Sequence, residues 1–292
     1  MNILVTGANG QLGNELRLHA KGAVHRFIFT DVSSQPEVET VYLDITDRDA
    51  VRLVCDSESV DLIVNCAAYT NVDKAEDDEA TADLLNRVAP SNLAEVAAGR
   101  GATLIHISTD YVFPGDGCTP LRETDKVGPR SAYGRTKLGG ERAVVNSGCN
   151  YIILRTAWLY SPFGRNFVKT MGKLTGANDS VKVVVDQVGS PTSAADLADA
   201  IMHIVDGGRL GCRGIYHFSD EGAVSWFDFA KAICELKGDV CDVRPCLSGE
   251  FPSRVDRPHY SVLDKTLFKD TFGYKIPYWK DSLEKCVERL WK

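Results

Sequence analysis

Asn2-Ile3-Leu4-Val5-Thr6-Gly7-Ala8-Asn9-Gly10-Gln11-Leu12-Gly13 carries a short apolar run into three glycines spaced G-x-x-G-x-x-G, and a helical pattern begins at once. That order predicts a strand, a tight turn and a helix N-terminus. Such a turn sets backbone N–H groups and the positive end of a helix dipole where a pyrophosphate can rest. Glycine suits it because the chain bends sharply and phosphate oxygens approach without a Cβ in the way. Glycines also collect in ordinary turns; the strand before and the helix after make this spacing a dinucleotide signal. Gly7, Asn9, Gly10, Gln11, Leu12 and Gly13 form the expected cofactor turn.

The alternation continues downstream. Strand-like runs at 2–6, 27–31, 41–43, 62–66, 103–108 and 151–156 are separated by helical patterns at 11–21, 47–58, 73–99 and 131–147. Pro90 inside the third pattern predicts a kink or break there. Continuous apolar strands between helices predict an α/β fold: a Rossmann-type, doubly wound parallel sheet covered on both faces. After residue 160 the texture changes to a helix at 163–173, a strand at 181–185, a helix at 194–206 and a strand at 214–218. A helix at 225–237 follows, with Ser225 as N-cap and Trp226, Phe229, Ala230 and Ile233 on one face. Residues 241–280, rich in Pro, Arg and aromatics, read as irregular, and 281–291 as a closing amphipathic helix. The expected plan is a nucleotide-binding domain over 1–160, with 186–206 returning to it, and a smaller α/β substrate-binding domain over 161–292. Ligands are expected in the cleft at the strand C-terminal ends.

Composition narrows the partners. The chain has 292 residues, 44% of them apolar, and a net charge of −7 from 33 basic and 40 acidic residues. An acidic chain has no field to draw nucleic acid or an anionic membrane surface. No segment reaches the ~18 consecutive apolar residues of a membrane span. The opening residues read as strand rather than as a secretion signal. Nine cysteines form no C-x-x-C pair, and Cys66, Cys149 and Cys234 read as buried thiols. A reduced, cytoplasmic protein is the expectation.

Three further pieces carry chemistry. Asp31 ends the second strand, 18 residues beyond Gly13. A carboxylate there accepts from adenosine ribose hydroxyls and repels a 2′-phosphate. Val32-Ser33-Ser34 follows instead of a basic residue, which leans toward NAD, although the serines offer a phosphate hydrogen bonds. Asp44 and Ile45 end the third strand beside an adenine edge; Ala67, Ala68 and Tyr69 follow the fourth, where small residues leave room for ribose and phosphates. Tyr133-Gly134-Arg135-Thr136-Lys137 sets a phenol and an ammonium one helical turn apart. The cation is expected to lower the phenol's pKa and ready it to pass a proton near neutral pH. Ser108-Thr109-Asp110-Tyr111-Val112-Phe113 ends the fifth strand, so a hydroxyl emerges at the cleft edge. No G-x-S-x-G occurs, which argues against a serine hydrolase.

Glycine turn, strand-end hydroxyl and Tyr-x-x-x-Lys, in that order, resemble the extended short-chain dehydrogenase/reductases. Within them the chain is similar to reductases of dTDP-linked 4-keto-6-deoxy sugars. The narrower motifs are Ser108 to Phe113 and Asp186-Gln187-Val188-Gly189-Ser190-Pro191-Thr192, with Arg155-Thr156-Ala157-Trp158, Gly164-Arg165-Asn166-Phe167-Val168 and Arg257-Pro258 beside them. The resemblance implies Tyr133 as catalytic acid, Lys137 as its partner and as a cofactor ligand, and Thr109 as the hydroxyl oriented on a carbonyl. It implies Thr109, Asp110, Tyr111 and Trp158 around the sugar, Asn166 and Phe167 at the nucleotide diphosphate, and Arg257 on a phosphate. It also implies NADPH or NADH as cofactor, a nucleotide-sugar substrate, a homodimer, and magnesium with no ligand assigned. The implied reaction reduces a C4 ketone to give dTDP-L-rhamnose. The readings beside it are another nucleotide-sugar epimerase or reductase, and a non-catalytic cofactor-binding subunit like that of methionine adenosyltransferase.

Overall fold

A computed structural model describes residues 1–251 and 254–291. In chain order the first half runs β1 (Asn2–Thr6), α1 (Gln11–Ala20), β2 (Arg26–Asp31), β3 (Val41–Tyr42), α2 (Arg48–Ser57), β4 (Leu62–Asn65), α3 (Val72–Asp77), α4 (Glu79–Asp83), α5 (Ala89–Arg100), β5 (Thr103–Thr109), α6 (Ala132–Asn146) and β6 (Asn150–Thr156). The second half runs β7 (Leu159–Tyr160), α7 (Phe167–Ala177), β8 (Ser180–Val184), β9 (Val188–Gly189), β10 (Thr192–Ser193), α8 (Ala194–Asp206), β11 (Gly214–His217), β12 (Val224–Ser225), α9 (Trp226–Lys237), β13 (Asp242–Cys246), α10 (Thr266–Phe272) and α11 (Trp279–Trp291).

The main sheet has seven strands in the order β11-β6-β5-β4-β1-β2-β3, and every neighbouring pair is parallel. The order reverses at β1, so β1 and β4 flank the point where a crevice opens. One face is sealed by α1, α8 and α10 through Leu12, Leu16, Leu197, Ile201, Phe268 and Phe272. The other is sealed by α2, α5 and α6 through Val51, Leu93, Ala97 and Val144. A separate core joins α7, β8, α9, β13 and α11 through Met171, Val183, Phe229, Ile233, Val243 and Leu283. Among the described residues no helix is long and apolar enough to cross a membrane.

Four local readings need correction. The 73–99 pattern is four pieces: it breaks at Asp78, which caps α4 by accepting from Thr81 N, and widens to a π-turn over Leu84–Val88. Pro90 sits in the first turn of α5, where its missing N–H costs nothing. The helix expected at 163–173 starts at Phe167, because Asn166 caps it by accepting from Lys169 N. The stretch 241–280 is not irregular throughout: β13 pairs in parallel with β8, and α10 follows. Cys149 and Cys234 are buried, whereas Cys66 is half-buried at the cleft wall.

Candidate active site

The strand ends open into a cavity of about 690 Å³, the size of a small-molecule or cofactor site. Gly7, Gly10, Gln11 and Leu12 form its start, Asp31, Asp44 and Ile45 one rim, and Ala67 and Ala68 its floor. Gly7 has φ +63, and a Cβ there would collide with Ala67; the turn closes onto β4 only because that atom is missing. No side chain caps the N-terminus of α1, and its first turn holds no acidic residue. Its leading amides are therefore left for an anion, as a pyrophosphate requires. Asn9, Gly13 and Tyr69 stand behind the wall instead of in it. Asn9 ties the turn to Ser33 O at 2.6 Å, Gly13 packs on Ala8, and Tyr69 N donates to Asn86.

The Asp31 carboxylate is held by polar neighbours. One carboxylate oxygen accepts from Asn9 N at 3.1 Å, and the other from Ser33 N and Oγ at 3.0 and 2.8 Å. Arg17 reaches in from α1, donating to Thr40 Oγ1 at 2.8 Å with its guanidinium over Phe29. Burial holds this guanidinium below its ordinary pKa while the Asp31 charge opposes the shift.

At the opposite wall Thr109, Tyr133 and Lys137 converge. Ser131 caps α6 by accepting from Gly134 N at 3.1 Å, and Ala132 N donates to Glu76 at 2.7 Å. A Cβ at Gly134 would run into the Tyr111 carbonyl oxygen, so glycine lets α6 press against the turn that follows Thr109. Tyr133 then lies edge-on to Tyr111, ring centroids 5.4 Å apart, with its hydroxyl facing the Thr109 side chain. Burial pushes the Tyr133 phenol above its ordinary pKa, the reverse of the lowering expected from the Tyr-x-x-x-Lys spacing. The reason is that the lysine faces elsewhere: Lys137 Nζ donates to Ile107 O at 2.6 Å, and burial drops its own pKa to about 8.

Behind Lys137, Glu141 forms a two-pronged ion pair with Arg155 at 2.8 and 2.7 Å and accepts from Ser108 Oγ at 2.5 Å. Both charged side chains are almost sealed, at 2% and 3% exposure. This clamp joins β5, α6 and β6 directly under the Ser108–Thr109 strand end.

Trp158, Asp110, Tyr111 and Arg257 line the same cavity. Trp158 adopts φ +50, a strained state for a bulky residue, and lies flat on Trp226 with centroids 3.5 Å apart. Arg257 pairs with Asp73 at 2.8 Å and faces Tyr111. A second cavity of about 1120 Å³ adjoins and shares Trp226 and Arg257; Phe167, Gln187, Ser248 and Arg254 also line it. Asn166 lines neither cavity: its amide is spent on Gln11 Oε1 at 2.9 Å and Ser161 O at 2.7 Å. Trp226, Gln187 and Ser248 were not among the expected site residues. Gln187 lies in the Asp-Gln-x-Gly-x-Pro-Thr run, so that motif was the available signal, and it donates to Ser248 at 2.9 Å. Among the described residues no three His, Cys, Asp or Glu side chains gather as a metal site.

A crevice at the β1/β4 reversal, facing a half-buried tyrosine and a buried lysine on one helix, is the architecture of the short-chain dehydrogenase/reductases. The family described as the RmlD substrate binding domain matches residues 1–291. The dTDP-4-dehydrorhamnose reductase of Sinorhizobium fredii is 40% identical over 99% of this chain and 98% of its own length. The crystal structure of a dTDP-4-dehydrorhamnose reductase from Clostridium acetobutylicum has 43% identity, a TM-score of 0.93 and 99% coverage of each chain. That of the Bacillus anthracis reductase in complex with NADP has 35% identity, a TM-score of 0.87 and 99% coverage of each chain. The chain belongs to the dTDP-4-dehydrorhamnose reductase family.

Proposed function

We propose that this chain is an NAD(P)H-dependent oxidoreductase that reduces the C4 ketone of dTDP-4-dehydro-L-rhamnose, yielding dTDP-L-rhamnose. The observation that carries the reading is a single cleft with the glycine turn at one end and the Thr109–Tyr133 hydroxyl pair at the other. When bound, the dinucleotide supplies the hydride. Tyr133 gives its proton to the carbonyl oxygen, and Thr109 fixes the direction of that hydroxyl. A phenol raised above its ordinary pKa remains protonated at neutral pH, the state a donor in a reduction needs. Lys137, anchored on Ile107 O, holds its ammonium toward the nicotinamide ribose hydroxyls.

The sugar is proposed to lie against Trp158, Asp110 and Tyr111, with Arg257 on a phosphate and the base toward Phe167 in the second cavity. A planar wall of Trp158 on Trp226 suits a sugar face, and a guanidinium pairs well with phosphate. Cofactor choice is proposed to rest on Asp31, whose carboxylate disfavours a 2′-phosphate and so favours NADH. Ser33 and the Arg17 cation at the same rim soften that choice and leave NADPH usable. The family match fits a reductase that consumes cofactor, unlike an epimerase or dehydratase, which regenerates it. The direct test follows absorbance at 340 nm with dTDP-4-keto-6-deoxy sugar and each reduced cofactor. Stoichiometric oxidation is expected, and its absence with both cofactors would overturn the reading.

A further inference from the structure

One buried carboxyl of the sugar wall also stands next to the proton-donating pair. Asp110 is 3% exposed and its Oδ1 lies 3.0 Å from Thr109 Oγ1. Its Oδ2 is sealed from solvent without a hydrogen bond closed to it, although the Ser261 hydroxyl faces the carboxyl. A carboxylate oxygen buried in this way is poorly solvated, and the neutral acid is favoured.

The proton count at Thr109 makes this matter. A threonine hydroxyl has one proton and two lone pairs. Tyr111 N donates to one lone pair at 3.2 Å. One proton and one lone pair remain; Asp110 lies on one side at 3.0 Å, and the Tyr133 hydroxyl faces the other, where it closes on Thr109 once a substrate is in place. If Asp110 is ionised, Thr109 donates to it and Tyr133 donates to Thr109; both protons then face away from the substrate. If Asp110 carries a proton, the order reverses: Asp110 donates to Thr109, Thr109 to Tyr133, and the Tyr133 proton is left facing the cleft.

We infer that Asp110 is a positioning residue that works through Thr109, directing the hydroxyl chain toward the substrate and refilling Tyr133 during the reduction. The inference rests on the function proposed above. As hydride forms the new C–H bond at C4, the carbonyl π pair moves onto oxygen and takes the Tyr133 proton. Tyr133 takes the Thr109 proton and Thr109 takes the Asp110 proton, so one carboxylate is left. Water returns a proton to it before the next turnover. Burial brings the Asp110 carboxyl to about 6, so the protonated, donating form prevails below that pH and is a minority at pH 7. Tyr111 on its own turn, Tyr133 from α6 and Ser261 from the C-terminal stretch face it. The charges beyond them are Arg257, paired with Asp73, and Lys137, bonded to Ile107 O.

The test compares Asp110→Asn with wild type in the full-length protein, reading kcat, both KM values and NADH binding by fluorescence. Asn keeps the volume and the hydrogen bond but holds no exchangeable acid proton. Wild-type kcat is expected to fall as pH rises from about 6 to about 7.5, while the variant's is lower by about tenfold or more at pH 6 and flat over that interval. NADH affinity should stay within about twofold of wild type, and any rise in the sugar KM reports the separate contact of Asp110 with the sugar. A variant that keeps wild-type kcat, or one that keeps the wild-type pH dependence, overturns the inference. Should the variant fail to fold, wild type decides alone: a curved proton inventory in mixed H₂O/D₂O supports it, and a linear one overturns it. An inactive Tyr133→Phe beside an unaffected Asp110→Asn sinks only this inference; a fully active Tyr133→Phe sinks the reaction it rests on.

Discussion

Lys137 Nζ donates to the main-chain oxygen of Ile107 at 2.6 Å, two residues before Thr109 on the same strand. The helix that carries Tyr133 is thereby pinned to the strand that carries its hydroxyl partner. The pin consists of a buried ammonium and a carbonyl, so it responds to pH.

Replacing Tyr133 with Phe removes the hydroxyl and leaves the ring against Tyr111. The variant should fold and bind dinucleotide, and its kcat should fall by about 10²–10⁴. Turnover at 340 nm beside cofactor fluorescence checks it; wild-type turnover would end the assignment.

Lys137 titrates at about 8 because burial opposes its charge. The sign follows from the charged form being the working one: the ammonium is present below that pH and lost above it. Activity should decline as pH rises through about 8, and a kcat profile from pH 6 to 10 at saturating substrate shows it. Lys137→Met should be slow throughout and lack that alkaline limb.

Glu141→Gln should break the sealed pair with Arg155 and leave a guanidinium without its counter-charge. A loss of about 3–5 kcal/mol in unfolding free energy is expected, measured by urea denaturation. A change under about 1 kcal/mol would show that the clamp contributes little.

Asp31→Ala should raise the ratio of kcat/KM for NADPH over NADH, since it removes the like charge at the adenosine rim. Steady-state assays with each cofactor measure it, and an unchanged ratio would remove Asp31 from cofactor selection.

Trp226→Ala should strip the support from Trp158, whose strained backbone is held by that stack. The expected result is a KM for the nucleotide sugar raised by about tenfold or more with NADH binding unaltered.

Local chemistry explains what could be read in advance. The turn at Gly7 and the helix after it are encoded within a dozen neighbouring residues, and the Tyr133–Lys137 spacing is one helical turn. Trp226 was visible only as part of an apolar helix face; nothing near it announces Trp158, 68 residues earlier. The β13 strand holds Pro245, which argues against a strand on propensity, yet it lies opposite Val183 in a two-stranded sheet with free edges. Asparagine is a favoured N-cap, so Asn166 is itself a legible mark of a helix beginning at Phe167 and of a side chain committed to that cap. The direction of the Tyr133 shift could not come from spacing, because burial raises the phenol while the lysine one turn on is turned to Ile107 O.

Gln11 opens α1 at the glycine turn, yet its side chain accepts from Asn166 Nδ2 and Ser161 Oγ and donates to Leu159 O. On the same helix Glu15 binds Arg289 of α11 at 2.9 Å. Swinging the two lobes apart would sever this whole seam at once. Any widening of the gap between them must break these bonds together, so its width is tied to the side chains of Gln11 and Glu15.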